Sequence, residues 1–437
     1  MRTMYRVKNS ARYAGKRMTT IVFFGYPHDG HIFPTLEIVK RLIERNNHVI
    51  YYAQCRYKKV LEETGATFYR YKVGFSQPKN KTKNEFSAQN SFWQKLTEQK
   101  DNLLGIGKIC EKVLKCHNAE VTALNPDVII YDTLSIWGGI FAKKLNVPSI
   151  ASHVDFIYTR KLRELDIKSI IKKNIKDIDE RSLFKYQSKF LKIFDMEISV
   201  GKQYSLLDLF YSDYLNIVYI PKQFQPYYEM LDDYHYKFIG FTPYNRRQNV
   251  KFPFSKINAN PIIYISLGNA PEILCVTLYE MCIKSLCDIN KIVVISVCYD
   301  NIYKELKSRY IPPHIIIKKY VPQLEILQRT GLFITSGGLS SIREALSYHV
   351  PLLVIPFFMD QFTVADQVEK HKLGVCIRSI NITKNKLKEI CEDTYCKKEI
   401  IENCKNMADI FEQAGGTGTL KAIEHIEGNI NKKTEDC

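Results

Sequence analysis

Short runs of β-branched and aromatic residues alternate with helical patterns along most of this chain of 437 residues. In the first half they include TTIVFFG at residues 19–25, HVIYYA at 48–53 and PDVIIYD at 126–132. Strands that are apolar on both faces are typical of parallel sheets covered by helices on both sides. The sequence therefore predicts an α/β fold built from doubly wound, Rossmann-like units.

A second series of such units follows residues 241–259, which are polar, contain two prolines and lack periodicity. We expect a linker there, between an N-terminal domain at 19–240 and a C-terminal domain at 260–427 whose last helices could pack back on the first domain. Residues 1–18 are expected to form a disordered basic leader, and residues 428–437 a tail. The two domains would face each other across a cleft at the carboxyl ends of their strands, where ligands of such folds bind.

The chain has 63 Lys and Arg against 46 Asp and Glu, which gives a formal net charge of +17. This charge is compatible with nucleic acid, an anionic membrane or a phosphorylated small molecule as a partner. Nucleic acid is disfavoured, because no recognition motif accompanies the charge. The basic, amphipathic helical stretch at 160–199 could contact a membrane surface peripherally or form a solvated helical face.

The twelve cysteines show neither a CxxC pair nor a Cys and His spacing that suits zinc. Reduced, buried thiols of a cytoplasmic protein are the simplest interpretation. No apolar stretch of 18 residues is present to span a bilayer.

The segment GLFITSGGLSSIREAL at residues 331–346 predicts a strand, a Ser/Gly turn and a helix that starts near Ser340. Such a turn directs backbone N–H groups and the positive end of a helix dipole at an anion, and a diphosphate suits that place. Gly337 and Gly338 would let the backbone approach the anion, while Ser340 and Ser341 would cap the helix and donate hydroxyls. Taken alone, the motif could equally be an ordinary capped turn between a strand and a helix.

Residues 320–361, which begin YVPQLEIL and end PFFMDQ, resemble the donor-binding signature of the UDP-glycosyltransferase superfamily. With FQPYYEMLDD at 224–233 and FIG at 238–240, the chain is most similar to the macrolide glycosyltransferase branch, and the resemblance runs from about Met18 over nearly the whole chain. It implies a GT-B fold, in which the N-terminal domain binds the acceptor and the C-terminal domain binds a nucleotide sugar.

The activity that this resemblance implies is an inverting, metal-independent transfer of a hexose without a cofactor. The donor would be UDP-glucose, a related UDP-hexose or another nucleotide sugar. The acceptor would be a hydroxyl of a small, largely apolar molecule, such as a macrolide-like natural product.

The resemblance also implies donor-binding roles for particular residues. Glu344, on the first turn of its helix, would accept from both ribose hydroxyls, and Gln323 would contact the nucleoside. Tyr320 would lie against the uracil, although aromatic residues at strand ends more often belong to the core. Asp360 and Gln361 would hydrogen-bond hydroxyls of the sugar. The remaining implied donor-binding residues are Val321, Ser266, Gly268, Ser336, Gly337, Gly338, Ser340 and Ser341.

Two positions depart from the family pattern. Ser336 stands where the family usually has His, and Ser340 where it usually has Asn. A charge-assisted hydrogen bond to the diphosphate contributes about 1.5–3 kcal/mol, so its loss would weaken donor binding roughly ten- to a hundredfold. The Ser336 hydroxyl, Lys318 or Lys319 could compensate. The alternative is a weakened or inactive relative that acts as a binding or auxiliary subunit.

The loop PHDGHIFP places His31 just after a strand, where it matches the GHxxP element whose histidine is the catalytic base in the family. Imidazole suits the removal of a proton from an acceptor hydroxyl near neutral pH. Asp132, at the end of VIIYD, would hold the far imidazole nitrogen and stabilise the imidazolium. His28 is the alternative base. Asp127 is the alternative acid, although it precedes its strand and should face the opposite rim.

Two other motifs carry little weight. Asp177 and Asp179 form the DxD of metal-dependent glycosyltransferases, but carboxylates at positions i and i+2 of a helix diverge. We therefore expect a solvated face there and no metal site. The turn GYPHDG after the first strand is not GxGxxG, which disfavours a dinucleotide enzyme.

Overall fold

The computed structural model describes residues 18–75, 88–157, 159, 162, 197–200, 202–205, 209–240, 250–257, 261–268, 272–357, 359–378 and 382–435. The basic leader up to residue 17, the DxD motif and most of the stretches 160–199 and 241–259 lie outside these ranges. The predictions for the leader, the membrane contact and the domain boundaries therefore stay predictions.

The described strands, numbered in chain order, are β1 (Thr20–Phe24), β2 (His48–Ala53), β3 (Thr67–Arg70), β4 (Val128–Asp132), β5 (Ser149–His153), β6 (Glu197–Val200), β7 (Lys202–Ser205), β8 (Leu215–Val218), β9 (Tyr236–Phe238), β10 (Ile262–Ser266), β11 (Val293–Ser296), β12 (Ile315–Lys318), β13 (Thr330–Thr335), β14 (Leu352–Val354) and β15 (Gly374–Cys376).

Thirteen of these strands form two parallel sheets. The first sheet has the order β3-β2-β1-β4-β5-β8-β9 and the second has the order β12-β11-β10-β13-β14-β15. In each sheet the direction of strand addition reverses once, between β1 and β4 and between β10 and β13. Such switch points open a crevice at the carboxyl ends of the strands, where ligands of doubly wound folds bind. The predicted pair of doubly wound units is confirmed.

The described α-helices are α1 (Asp29–Ile32), α2 (Leu36–Glu44), α3 (Lys58–Glu62), α4 (Ala88–Ala123), α5 (Trp137–Leu145), α6 (Glu272–Ser285), α7 (Asp300–Lys307), α8 (Gln323–Leu327), α9 (Leu339–Leu346), α10 (Met359–Lys370), α11 (Lys384–Thr394), α12 (Lys398–Gln413) and α13 (Thr419–Glu435). None of the helices in these described segments combines the length and the apolar character needed to cross a membrane.

Helices cover both faces of each sheet. Along β1, Ile21 and Phe23 pack with α2 on one face, and Val22 and Phe24 pack with α4 and α5 on the other. The second sheet lies between α9, α10 and α12 on one face and α6, α7 and α11 on the other. Each such buried side chain contributes roughly 1.5–3 kcal/mol relative to exposure. This burial fixes the strand ends on which the polar site residues lie.

The chain passes between the sheets at two adjacent places. It leaves the first sheet after β9, at Gly240, and it returns through a π-helical turn at Ala414–Gly418 that joins α12 to α13. The Gly240 backbone lies against the carbonyl oxygen of Phe411 and the amide of Gly415, so there is no room for a Cβ at that position. The outgoing and returning segments are therefore in contact.

The last helix packs on the first sheet. Ile423 and Ile426 of α13 belong to the same apolar cluster as Leu42 of α2. Arg45 donates to both carboxylate oxygens of Glu427, at 3.1 and 2.8 Å. The helix continues to Glu435, well into the segment that the sequence suggests is a tail.

Two local expectations are wrong. The expected loop around His31 contains α1 and a 3₁₀ turn at Phe33–Thr35, because Pro34 suits a first helical turn. The expected helical stretch at 160–199 ends in a strand, since β6 pairs with β7 in an antiparallel hairpin. The β-branched residues Ile198 and Val200 favour that strand.

Candidate active site

His31 lies at the carboxyl edge of the first sheet, on the helix α1 that follows β1. Its Nδ1 is 2.8 Å from Oδ2 of Asp132, the last residue of β4. The two residues are 101 positions apart in the chain and meet because β1 and β4 pair in parallel, with Phe24 opposite Tyr131. The structure thus brings together the predicted base and the predicted orienting acid at the switch point.

Asp132 is fully buried, and both of its carboxylate oxygens have partners. Oδ2 faces His31, while Oδ1 accepts from the backbone N–H of Leu134 at 2.9 Å. A carboxylate only accepts hydrogen bonds, so in the neutral imidazole Nδ1 of His31 carries the proton and Nε2 keeps its lone pair. The imidazole therefore presents a basic nitrogen on the side away from Asp132, and its side chain is 13% exposed.

The pKa of His31 is raised above its ordinary value of 6.5. Burial alone would lower this pKa, but the charge of Asp132 and the hydrogen bond to it outweigh burial. The negative charges of Asp155 and Asp360 raise it further. Asp155, which follows β5, is an acidic neighbour that the sequence motifs did not indicate.

The two alternative residues have structural partners instead. Nδ1 of His28 accepts from the backbone N–H of Gly30 at 3.2 Å and so caps α1, and burial together with the nearby His31 lowers the pKa of His28. Oδ2 of Asp127 accepts from the backbone N–H of Thr20 at 2.8 Å. Thr20 is the first residue of β1, so Asp127 lies at the opposite edge of the sheet, as the sequence predicts.

The Ser/Gly turn lies at the switch point of the second sheet, between β13 and α9. Gly337 has a φ of +90°, and a Cβ there would lie 2.7 Å from Cγ1 of Val354. Glycine alone fits such a position. The helix begins at Leu339, with Gly338 as the N-cap residue. The N–H groups of its first turn have no partners within the helix and can bind an anion.

The predicted capping by Ser340 and Ser341 is wrong. Both residues lie within the first turn of α9, and the N-cap residue makes no side-chain cap hydrogen bond. Oγ of Ser340 instead accepts from Nη2 of Arg343 at 3.3 Å. A hydroxyl that accepts in this way can still donate its proton to a bound anion.

A second turn approaches the Ser/Gly turn from β10. The strands β10 and β13 pair in parallel, with Ser266 opposite Thr335. Gly268 follows with a φ of +56°, and a Cβ there would lie 4.0 Å from Oγ of Ser336. Ser336 is buried. The structure therefore brings Ser266, Gly268 and Ser336 together at one switch point.

Glu344 and Gln323 form a hydrogen-bonded pair. Nε2 of Gln323 donates to Oε2 of Glu344 at 2.6 Å, and the hydroxyl of Tyr264 donates to Oε1 of Gln323 at 2.9 Å. The sequence places Glu344 on the first turn of its helix, but α9 begins at Leu339 and Glu344 lies on the second turn. Its carboxylate is nevertheless held in one orientation beside Gln323.

Tyr320 and Val321 follow β12 and differ in exposure. Val321 is buried, whereas 60% of Tyr320 is exposed, so the core alternative for Tyr320 is wrong. Nζ of Lys319 lies 5.8 Å from the centre of the Tyr320 ring and forms an ion pair with Asp300. Lys319 is therefore paired with Asp300 at the protein surface.

Asp360 and Gln361 lie in the first turn of α10. Oε1 of Gln361 accepts from the backbone N–H of Phe357 at 2.7 Å, and its side chain is buried. One end of this amide therefore has a structural role, which the sequence motif did not indicate. The negative charge of Asp360 raises the pKa of His31, which brings it into the same site.

Arg343 is a further site residue that sequence reasoning missed. It is 2% exposed, and its Nη1 donates to the carbonyl oxygen of Tyr219, just after β8 of the first sheet, at 2.7 Å. Burial lowers its pKa to about 10, against the opposing charges of Asp155 and Glu344. Its spacing from Ser340, three positions along one helix, is the only local pattern that could have indicated Arg343 as a site residue.

The two switch points face each other. A Cβ placed on Gly30, beside His31, would lie 3.7 Å from Oγ of Ser340 on α9. The imidazole and the anion-binding turn therefore line one cleft. Among the residues that the structure describes, no three His, Cys, Asp or Glu side chains are grouped so as to hold a metal ion.

The second half of the chain matches a known family. Residues 257–412 match the family model described as UDP-glucoronosyl and UDP-glucosyl transferase. The chain is also similar to a Bacillus subtilis (strain 168) protein named uncharacterized UDP-glucosyltransferase YojK. The two are 28% identical over 425 residues, which cover 96% of this chain and 100% of that protein. The predicted resemblance to the UDP-glycosyltransferase superfamily is confirmed.

Two further likenesses refine this assignment. The glycosyltransferase is 21% identical over 423 residues to the oleandomycin glycosyltransferase of Streptomyces antibioticus, with 95% of this chain and 92% of that protein covered. The crystal structure of the glycotransferase of kitacinnamycin matches its fold with a TM-score of 0.70 at 22% identity, over 94% of this chain and 98% of that one. The predicted GT-B fold, macrolide-like family and enzyme class are confirmed, and with them a nucleotide sugar and an acceptor as substrates.

Proposed function

We propose that this glycosyltransferase moves a hexose from a UDP-sugar to a hydroxyl of a small acceptor by one direct displacement. The observation that carries the proposal is the 2.8 Å contact between His31 and Asp132, across the cleft from the Ser/Gly turn. We call the first sheet with its helices the first lobe and the second sheet with its helices the second lobe. A base on the first lobe and an anion-binding turn on the second are the two groups that such a displacement needs.

In the proposed step, Nε2 of His31 takes the proton of the acceptor hydroxyl as its oxygen attacks the anomeric carbon. The bond from that carbon to the diphosphate oxygen breaks, and its electron pair leaves with UDP. Asp132 stabilises the imidazolium that forms. Attack on the face opposite the leaving group inverts the anomeric configuration.

We assign the donor to the second lobe. The first turn of α9 and the glycines before it would hold the diphosphate, with the Ser340 hydroxyl as a further donor. The pair of Gln323 and Glu344 would face the nucleoside and its ribose, with Tyr320 stacked on the base. Asp360 would contact the sugar. The N–H groups and the dipole of α9, with the Ser340 hydroxyl, can stabilise the leaving diphosphate without a metal ion.

The acceptor would lie along aromatic residues of the first lobe. Tyr26 packs edge-on against His31, with ring centres 5.2 Å apart, and Phe75 packs edge-on against Tyr26 at 6.4 Å. This wall supports a largely apolar acceptor, as does the relative named for oleandomycin. The described cysteines are free thiols, which supports a cytoplasmic location.

The direct test is an assay of UDP release from UDP-glucose with a panel of phenolic and alkyl alcohols, in the presence of EDTA. We expect release that depends on the acceptor and is unchanged by EDTA, with a product one hexose heavier by mass spectrometry. NMR of the product should show the anomeric configuration opposite to that of the donor. A retained configuration, or loss of activity with EDTA, would contradict the proposal.

Replacing Ser336 with histidine should strengthen UDP binding. The new imidazole would lie beside the Gly268 turn and could add a charge-assisted hydrogen bond to the diphosphate. Such a bond contributes about 1.5–3 kcal/mol, so the dissociation constant should fall about ten- to a hundredfold. Isothermal calorimetry at pH 6 and pH 8 would measure the change. Ser336→Gln is the uncharged control, and equal affinities for both variants would contradict a role for charge.

A further inference from the structure

A cavity of about 370 Å³ opens at the carboxyl ends of β2 and β3, beside the turn that carries His31. Arg56, Arg70 and Lys72 line it, together with Tyr71 and Cys55, and the described residues of its lining include no acidic side chain. This volume suits a small molecule. The proposed transfer reaction uses none of these five residues.

The cavity lies on the same edge of the sheet as the base. Arg70 ends β3 opposite Ala53, which ends β2, and β2 is the neighbour of β1. Nη2 of Arg56 donates to the carbonyl oxygen of Pro27, in the turn before His31, at 2.7 Å. The wall of the cavity is therefore connected directly to the turn that positions His31.

A layer of contacting aromatic rings leads from the cavity wall to the imidazole. Tyr71 packs against Phe75 with ring centres 5.0 Å apart, and Phe75 contacts Tyr26, which packs against His31. A molecule with an apolar body along this layer would have one end near Nε2 of His31 and the other in the cavity.

The three basic residues are not equivalent. The Arg56 guanidinium lies 4.6 Å from the centre of the Tyr57 ring, and Lys72 lies 3.4 Å from a carboxylate oxygen of Glu120. Within the described part of the chain, no acidic side chain pairs with Arg70. Arg70 is therefore the cation with the most capacity to bind an anion.

The wall is also held rigidly. The backbone N–H of Lys72 donates to Nε2 of the buried His117 at 3.0 Å, and Nδ1 of His117 lies 2.8 Å from Glu120. The Tyr71 hydroxyl donates to the carbonyl oxygen of Gly25 at 3.1 Å. A site with fixed walls loses little entropy when a ligand binds.

We propose that this cavity binds a carboxylate of the acceptor, so that the acceptor class is elongated hydroxy acids. The hydroxyl lies at His31, the apolar body lies along Tyr26 and Phe75, and the carboxylate binds Arg70. A guanidinium matches a carboxylate with two parallel hydrogen bonds. This inference rests on the proposed glycosyl transfer and specifies its acceptor.

The test compares 3-(4-hydroxyphenyl)propanoate with its methyl ester as acceptors, with UDP-glucose as the donor. We expect kcat/KM to be about tenfold higher for the acid, because the ester lacks the charge-assisted hydrogen bond to Arg70. Tenfold corresponds to the lower end of the usual contribution of such a bond. Arg70→Gln should remove this preference by raising KM for the acid about tenfold and KM for the ester by less. The control Lys59→Gln removes an exposed cation of α3 that does not line the cavity and should keep the preference.

Equal rates for acid and ester in the unmodified enzyme would overturn the inference while leaving the proposed function intact. Equal slowing of both acceptors by Arg70→Gln would also overturn it. If neither acceptor releases UDP, the proposed function itself fails for this class. In that case alkylation of the exposed Cys55 tests ligand binding in the cavity independently of glycosyl transfer. The acid, but not the ester, should slow alkylation of Cys55 by N-ethylmaleimide, read by peptide mass spectrometry, and Arg70→Gln should abolish that protection.

Discussion

Replacing His31 with alanine should lower kcat for glycosyl transfer by about 10²- to 10⁴-fold, the usual contribution of a positioned general base. Without the imidazole, the acceptor hydroxyl must attack while it still holds its proton. The donor turn lies on the other lobe, so the affinity for UDP should be unchanged. Single-turnover kinetics would measure the chemical step, and calorimetry with UDP would measure donor binding.

The matched control for this variant is His28→Asn, three residues earlier on the same turn. An asparagine oxygen can replace Nδ1 of His28 as the acceptor that caps α1. We expect its kcat to stay within about threefold of the unmodified enzyme, because the cap that holds α1 in place is kept. The base assignment fails if His31→Ala keeps its activity, or if His28→Asn loses as much.

Replacing Asp132 with asparagine should lower kcat by about 10³- to 10⁴-fold, as removal of the orienting carboxylate does in hydrolase triads. An amide can donate to Nδ1 of His31, which would move the proton to Nε2 and block the base. It would also remove the negative charge that stabilises the imidazolium.

The same variant should change the pH dependence of kcat/KM. Asp132 raises the pKa of His31 above 6.5, and His31 accepts a proton only when it is neutral. Activity in the unmodified enzyme should therefore fall as the pH drops through a value above 6.5. Without the carboxylate the pKa falls, so the acid limb of Asp132→Asn should move to lower pH.

The control for the acid limb is Asp127→Asn at the opposite edge of the sheet. Its side-chain oxygen can still accept from the backbone N–H of Thr20, so we expect the fold and the pH profile to be retained. An acid limb that does not move in Asp132→Asn, or that moves equally in Asp127→Asn, would show that another group controls it.

The sequence predicts the two sheets because their strands are local, apolar runs. It also predicts the meeting of His31 with Asp132, since both follow strands that a doubly wound topology makes neighbours. It further indicates that position 337 needs a glycine, but it attributes this to a bound anion, whereas the structure shows a positive φ and a close contact with Val354. Local pattern and topology are sufficient for these features.

Other features depend on contacts between segments that are distant in the sequence. The burial of Arg343 depends on its hydrogen bond to the carbonyl oxygen of Tyr219 on the other lobe. The orientation of Gln361 depends on the backbone N–H of Phe357 in the preceding loop. The basic wall around Arg70 arises only when β2 and β3 are placed side by side. A linear motif contains no information on such partners, so composition and spacing could not indicate them.

The contact between the outgoing segment at Gly240 and the returning turn at Ala414–Gly418 has a mechanical consequence. Two chain segments that are held together at one point resist twisting of one lobe against the other, but they allow bending about a single axis. We therefore expect the cleft to open by a hinge motion of one lobe about this contact. The catalytic imidazole and the diphosphate turn would then return to the same alignment in every catalytic cycle.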